Sequence, residues 1–411
     1  MSEADATADA ETPAPRGPRW TLERAASEAG PPFHPFAGAN FRTFLRHYFQ
    51  TGGHFSRRSR LQRLSAWSVQ IFRWPFAAFE TAWWGRRIRE HRPAHPPIFV
   101  IGHWRSGTTH LHNLLSKDPQ FGWIDFGETA MPWDMLGEKV RIGRGILNRV
   151  LPKDRGYDNV KLSLEEPQEE EMALGNMNPL CYYNCYYFPR EMRRHSRRAL
   201  FFEDLDAAEM AQFERAYSYL LQKLSYAKGG RQLLLKNPAS TTRIPLLKRL
   251  FPDAKFIHIS RNPWPVFRSS VKKFSRLFNA FAWQDFDASL DLPGFVLETY
   301  ADLVRRYLRD REILAPGDLC ETSFESIVAD PLGEIGRIYD RLGIEGRDRA
   351  LSQIGRYVTD IRDYERNVHR VDAEHAAAIR DRWAFAFEAF GYPLDPPAEI
   401  DVVEGLENRQ G

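Results

Sequence analysis

Cysteine is nearly missing from this chain, with Cys181, Cys185 and Cys320 the only three in 411 residues. An odd count makes no disulfide framework. The single C-x-x-x-C pair has no second pair and no histidine at zinc-ligand spacing. The expectation is reduced thiols, a cytoplasmic setting and no metal. An excess of charge is missing too, since 57 Lys and Arg face 54 Asp and Glu, for a net charge of +3. That balance argues against a nucleic-acid binder, so any anion site must be a local concentration of cations. Uninterrupted hydrophobic runs are also missing. Leu64–Trp84 is the one membrane suspect, but Arg73, Pro75 and Glu80 interrupt it, which argues against a span. Residues 1–20 lack the basic start and apolar run of a secretory signal, and their Ala, Glu, Pro and Asp content reads as a disordered tail.

What is present suffices for a packed core, because 43% of residues are apolar and 13% aromatic. After the tail, residues 21–92 read as a basic, aromatic helical extension, with SRRSRLQR before the aromatic run and WWGRRIREHR after it. Two readings stay open for residues 38–92. They are either an amphipathic helix pair packed on the main domain or on a second subunit, or an interfacial helix touching a membrane. Residues 93–400 read as the main domain, with an insertion at about 130–225, and 401–411 as a C-terminal tail.

From residue 97 short apolar runs alternate with helix-like stretches: PIFVIG (97–102), FGWIDF (121–126), QLLLK (232–236), KFIHIS (255–260) and DLCETSF (318–324). Runs this short and apolar suit strands buried on both faces. The pattern implies a three-layer α/β fold with a mainly parallel central sheet. The insertion carries an acidic cluster (LEEPQEEE), an aromatic loop (CYYNCYYFPR) and a basic run (RRHSRR). Its position favours substrate contacts, although an aromatic loop can equally be core and a basic run a solvated face.

The most informative segment is PIFVIGHWRSGTTHLHNLL. A strand ending at Gly102, a turn through His103, Trp104, Arg105, Ser106 and Gly107, and a helix opening at Thr108 and Thr109 would point backbone N–H groups at a phosphate. The spacing fits the nucleotide-triphosphatase loop G-x-x-x-x-G-K-[ST], but Thr108 stands where lysine is required. The cation is Arg105 instead, which suits a single 5′-phosphate carrying a small leaving anion. In KFIHISRNPWPVFRSS a second strand ends at Arg261, with Ser269 about two turns into the next helix. Arginine and hydroxyl could grip one more phosphate from two sides. Two such sites suit a nucleotide phosphorylated at both 5′ and 3′ positions.

R-S-G-T-T after a strand, together with K-F-I-H-I-S-R-N-P-W-P-V-F-R-S, resembles the two donor-binding segments of sulfotransferases that use 3′-phosphoadenosine 5′-phosphosulfate (PAPS). The resemblance is to the branch holding tyrosylprotein, carbohydrate and many bacterial enzymes, and covers roughly residues 97–345. It implies sulfuryl transfer to an acceptor hydroxyl and release of adenosine 3′,5′-bisphosphate. It also implies that Arg105, Ser106, Gly107, Thr108 and Thr109 hold the 5′-phosphosulfate, and that Arg261 and Ser269 hold the 3′-phosphate. In LLLKNPAST, Lys236 resembles a lysine that contacts the transferring group, and FGET places Glu128 near that branch's catalytic glutamate. TSFESIVADP resembles a late family segment with Phe324 in place of tyrosine. The glycine-rich C-terminal segment of the cytosolic branch is absent, which leaves the adenine contacts unassigned, with 364–370 a candidate region.

Sulfuryl transfer needs a base for the acceptor proton and cations for the charge on the transferring group. Arg105 and Lys236 can supply the cations. Glu128 is the favoured base, with Glu166–Glu171 and His103 as the other candidates. A P-loop kinase or NTPase, and a non-catalytic scaffold on a nucleotide fold, are the competing readings. The acceptor could be a sugar, a lipid, a phenol or a peptide tyrosine.

Overall fold

In the computed structural model of the chain, residues 34–50, 54–136, 166–286, 290–360 and 369–403 are described. The expected tail at 1–20 and most of the candidate region at 364–370 lie outside them.

The short apolar runs form a five-stranded sheet of order β2-β3-β1-β4-β5, built from β1 (Ile98–Ile101), β2 (Phe121–Gly122), β3 (Gln232–Lys236), β4 (Lys255–Ser260) and β5 (Leu319–Ser323). Every neighbouring pair is parallel. All four residues of β1 are buried, as a central strand covered on both faces requires. Its side chains alternate between layers: Phe99 and Ile101 join a core with Leu235, Phe256 and Trp264, while Ile98 and Val100 join one with Leu111, Leu114 and Ile338. The result is the expected three-layer α/β fold with a parallel sheet.

Two strand expectations change. FGWIDF joins the main sheet only at Phe121–Gly122; Asp125 instead makes an isolated antiparallel bridge with Pro167 and caps a helix. A separate parallel pair joins His369–Asp372, a polar segment, to Ile400–Val403, which reaches into the stretch read as a C-terminal tail.

The order of the sheet places the site. β1 has β3 on one side and β4 on the other, so the segments leaving all three strands meet at one carboxyl edge, where ligands of open α/β sheets collect. The aromatic loop of the insertion turns inward: Tyr182, Cys185, Tyr186, Tyr187 and Phe188 are buried in the larger core. At the N-terminal side lie two helices, α1 (Phe41–Gln50) and α2 (Arg60–Glu90).

Candidate active site

The loop after β1 enters α3 (Thr108–Leu115) through a backbone of unusual conformation. Gly102, Arg105 and Gly107 have φ of 140°, 72° and 96°. The glycines are required. A Cβ on Gly102 would lie 2.4 Å from the Ile259 carbonyl oxygen, and one on Gly107 2.5 Å from a ring carbon of Phe324. Arg105 adopts the left-handed region without that freedom, a strain of order 1–2 kcal/mol that persists only where surrounding contacts enforce it. Ser106 donates its hydroxyl to the His103 carbonyl at 2.6 Å, and the Thr241 hydroxyl accepts from the Gly102 amide at 2.8 Å. Thr241 thereby ties the segment after β3 to the loop.

The two phosphate segments read from sequence are brought together. Arg105 Nε donates to Ser269 Oγ at 2.7 Å, and Arg261 Nη1 donates to the Arg105 carbonyl at 3.1 Å. The Arg261 guanidinium also lies 4.2 Å from the centre of the Phe324 ring. Ser269 sits on α4 (Pro263–Phe281), whose Asn262 side chain accepts from the Trp264 amide at its start and whose apolar face, Trp264, Phe267, Val271 and Phe274, is buried. Its other face carries Arg268, Lys272 and Arg276 at intervals of four. Burial, then Arg276, Arg268 and Arg105, hold the Lys272 ammonium below its ordinary pKa, so these cations crowd one region. The stripe was legible as period-four charge opposite an apolar face, a signal the motif reading passed over.

Lys236 ends β3 beside Val100 of β1, and its ammonium pairs with Glu169 Oε1 at 2.8 Å. The Tyr183 hydroxyl donates to the other oxygen of Glu169 at 3.2 Å. The acidic cluster thus separates residue by residue. Glu171 is a structural anion, held by Arg243 at 2.6 and 3.0 Å, by Asn237 Nδ2 at 2.9 Å and by the Tyr182 amide at 2.8 Å. Glu170 is fully buried and accepts from the Tyr217 hydroxyl at 2.9 Å. Burial pushes its carboxyl up to about 7.

Glu128 has a different occupation. It stands third in the helix Phe126–Ala130 and closes a capping box with Asp125, accepting from the Asp125 amide at 2.9 Å. Its other oxygen pairs with Lys228 at 2.7 Å, and burial raises its pKa against the pull of that lysine. His103 is buried between Trp104 and Tyr300, with Nδ1 2.7 Å from the Trp104 carbonyl. A carbonyl only accepts, so Nδ1 carries the proton. Burial drives this imidazole down to about 3, which makes it a weak base. Among the described residues no group of three or more His, Cys, Asp or Glu could hold a metal ion.

A glycine-bearing loop between strand and helix, a cation stripe and a lysine at one carboxyl edge define a nucleotide-dependent group transferase of P-loop type. The profile of the sulfotransferase family matches residues 96–348, and the chain belongs to that family. It is an enzyme that transfers a sulfuryl group from PAPS to an acceptor hydroxyl. The chain is 30% identical over 362 residues to the omega-hydroxy-beta-dihydromenaquinone-9 sulfotransferases Stf3 of Mycobacterium bovis and Mycobacterium tuberculosis, an alignment covering 84% of this chain and 92% of theirs. Among solved structures, sulfotransferase STF9 from Mycobacterium avium superposes with a TM-score of 0.67 at 16% identity, over 88% of this chain and 98% of that one. Sulfotransferase STF1 from Mycobacterium tuberculosis gives a TM-score of 0.57 at 16% identity, over 77% and 85%. At that identity the structural likeness speaks for the fold.

Proposed function

We propose that the acceptor is a hydroxyl on a lipophilic small molecule and that Glu169 takes its proton, with Lys236 and Arg105 steadying the transferring group. Arg261 and Ser269 hold the 3′-phosphate in this reading, and Ser106, Gly107, Thr108 and Thr109 line the 5′ side. The residues present fit the donor: Gly102 and Gly107 let the loop turn tightly against Ile259 and Phe324, and Arg105, Arg261, Arg268 and Lys272 offer cations for a doubly phosphorylated nucleotide. Bound PAPS supplies the activated sulfuryl group and a bisphosphate leaving group.

The observation that carries the base assignment is the Lys236–Glu169 pair. It puts a carboxylate 2.8 Å from the lysine that would meet the sulfuryl group, with Lys236 2% and Glu169 15% exposed. A base at that point can receive the proton while the lysine stabilises charge on the sulfuryl oxygens. Glu128 remains the second reading because FGET resembles the related motif; its oxygens hold the Asp125 amide and Lys228 rather than the lysine that ends β3. The lipophilic acceptor is supported by the relatives' name, which specifies a hydroxylated menaquinone.

The test compares Glu169→Gln and Glu128→Gln for turnover on long-chain alcohols, beside calorimetric binding of adenosine 3′,5′-bisphosphate in EDTA. Glu169→Gln should cut kcat by about 10²–10⁴ while leaving bisphosphate affinity intact. Full activity in Glu169→Gln, with loss confined to Glu128→Gln, would return the base to Glu128. Preference for sugars or tyrosine peptides over alcohols would remove the lipophilic acceptor.

A further inference from the structure

α2 is built inside out. Its buried positions are Gln62, Ala66, Gln70, Glu80, Gly85 and Ile88, mostly polar or small. Gln62, Gln70 and Glu80 are held by hydrogen bonds or an ion pair, while Ala66 and its neighbour Trp67 pack on the aromatic core. Gln62 donates to the Ala280 carbonyl at 2.9 Å, and Gln70 to the carbonyls of Phe36 and Ala37 at 3.0 and 3.1 Å. Glu80 pairs with buried Lys223 and accepts from the Leu136 amide at 2.7 Å. Arg73 donates to the Ala37 carbonyl at 2.8 Å and pairs with Asp134.

The large apolar side chains point the other way. Ile71, Phe72, Trp74, Phe79 and Trp83 are 66%, 71%, 62%, 59% and 61% exposed. Leu61 and Leu64, 77% and 54% exposed, extend this strip on the same face toward Arg60, whereas crossing a bilayer would need a continuously apolar helix. No described helix is long and apolar enough to do so. Exposed aromatics grouped on one helix face are a binding surface, not ordinary scatter.

The charges at the two ends of the strip decide the occupant. Arg57, Arg58 and Arg60 stand exposed at one end, and Arg86, Arg87 and Arg89 at the other, where Arg86 pairs with Glu90. A second copy paired along this face, parallel or antiparallel, would set arginine against arginine at both ends, because both ends are cationic. An anionic lipid surface answers the whole pattern: acyl boundary for Phe and Trp, headgroup phosphates for the arginines.

We propose that the outer face of α2 seats this protein flat on an anionic phospholipid bilayer, with the Ile71–Trp83 strip in the headgroup–acyl boundary and the flanking arginines on lipid phosphates. The same helix holds Asp134 and Leu136, near the start of the insertion, on its inner face. The seat is independent of which hydroxyl is sulfated and of which residue is the base.

The test is sedimentation of the full chain with vesicles of phosphatidylcholine alone or mixed with phosphatidylglycerol. Wild type should bind the mixed vesicles, more weakly as salt rises, and bind phosphatidylcholine poorly. A variant carrying Phe72→Ser, Trp74→Ser, Phe79→Ser and Trp83→Ser should lose at least about tenfold in vesicle affinity, since each removes an inserted apolar side chain. Its calorimetric affinity for adenosine 3′,5′-bisphosphate should stay at the wild-type value, which establishes that it is folded. Absence of wild-type binding to mixed vesicles, or equal binding by the variant, overturns the proposal. So does a wild-type dimer that the variant converts to monomer, which would give the face to a second copy.

Discussion

α2 and α4 are both long, both basic and both aromatic, yet they use their faces in opposite ways. α4 buries Trp264, Phe267, Phe274 and Phe278 and turns Arg268, Lys272 and Arg276 outward. α2 buries Gln62, Gln70 and Glu80 and turns Phe72, Trp74, Phe79 and Trp83 outward. Both burials satisfy the same rule, since apolar groups enter by leaving water and polar groups enter only when hydrogen-bonded. The lesson concerns the outer face. On α4 it holds cations with no apolar strip, suited to a small anion at the end of a sheet. On α2 it holds an apolar strip with cations only at its ends, suited to an extended surface.

The comparison is sharpened most by truncating one phenylalanine from each helix. Phe274 is 2% exposed and packs against Tyr186 and Phe295 with ring centres 5.1 and 5.5 Å away. Phe274→Ala should lower unfolding stability by about 3–5 kcal/mol. Phe79→Ala, at a position 59% exposed, should change it by less than about 0.5 kcal/mol. Denaturant unfolding of the two variants checks this, and comparable losses would mean that α2 is packed in solution by something covering its outer face.

The next effect is smaller and lies on the inner face of α2. Gln70 is 3% exposed and its amide supplies both carbonyl contacts to Phe36 and Ala37. Gln70→Leu removes two hydrogen bonds, while the Ala37 carbonyl keeps Arg73 and the Phe36 carbonyl keeps the Ala39 amide, so the cost should be about 1–2 kcal/mol. A stabilised Gln70→Leu would show that the inner face tolerates apolar packing. The polar character of that face would then not be what orients the helix.

The contrast also accounts for what could be read in advance. The shape of the loop after β1 was legible because it lies in local backbone: Gly102, Arg105 and Gly107 follow a strand and precede a helix within one contiguous segment. The five strands were legible because burial on both faces leaves short apolar runs. The division of labour within LEEPQEEE was not. Glu169, Glu170 and Glu171 are consecutive, and only distant Lys236, Tyr217 and Arg243 distinguish them. Glu128 was read through its motif, whereas its capping box with Asp125 was equally present as D-x-x-E before a helix and was passed over. For α2, the aromatic run was visible but its facing was not. The partners of Gln62 and Gln70 are backbone carbonyls, which leave no mark in side-chain pattern.

The smallest effect separates the two cation sets by proton linkage. The Lys272 ammonium sits below its ordinary pKa through burial and the nearby charges of Arg276, Arg268 and Arg105. A bound bisphosphate brings negative charge to that group and should raise its pKa again. Toward alkaline pH part of the unliganded population then lacks the proton, so binding takes up a fraction of a proton, and the uptake from this group shrinks as the pH falls. The ligand phosphates are fully ionised at the alkaline pH and add nothing, their second pKa being about 6. Calorimetry in two buffers of different ionisation enthalpy reads the uptake directly. Lys272→Met should abolish it and weaken binding several-fold, about 1–2 kcal/mol, whereas Arg89→Met on α2 should change neither. Uptake that persists in Lys272→Met would take this lysine out of the donor site. The outer face of α4 would then be a solvated stripe, and the distinction between the two helices would rest on α2 alone.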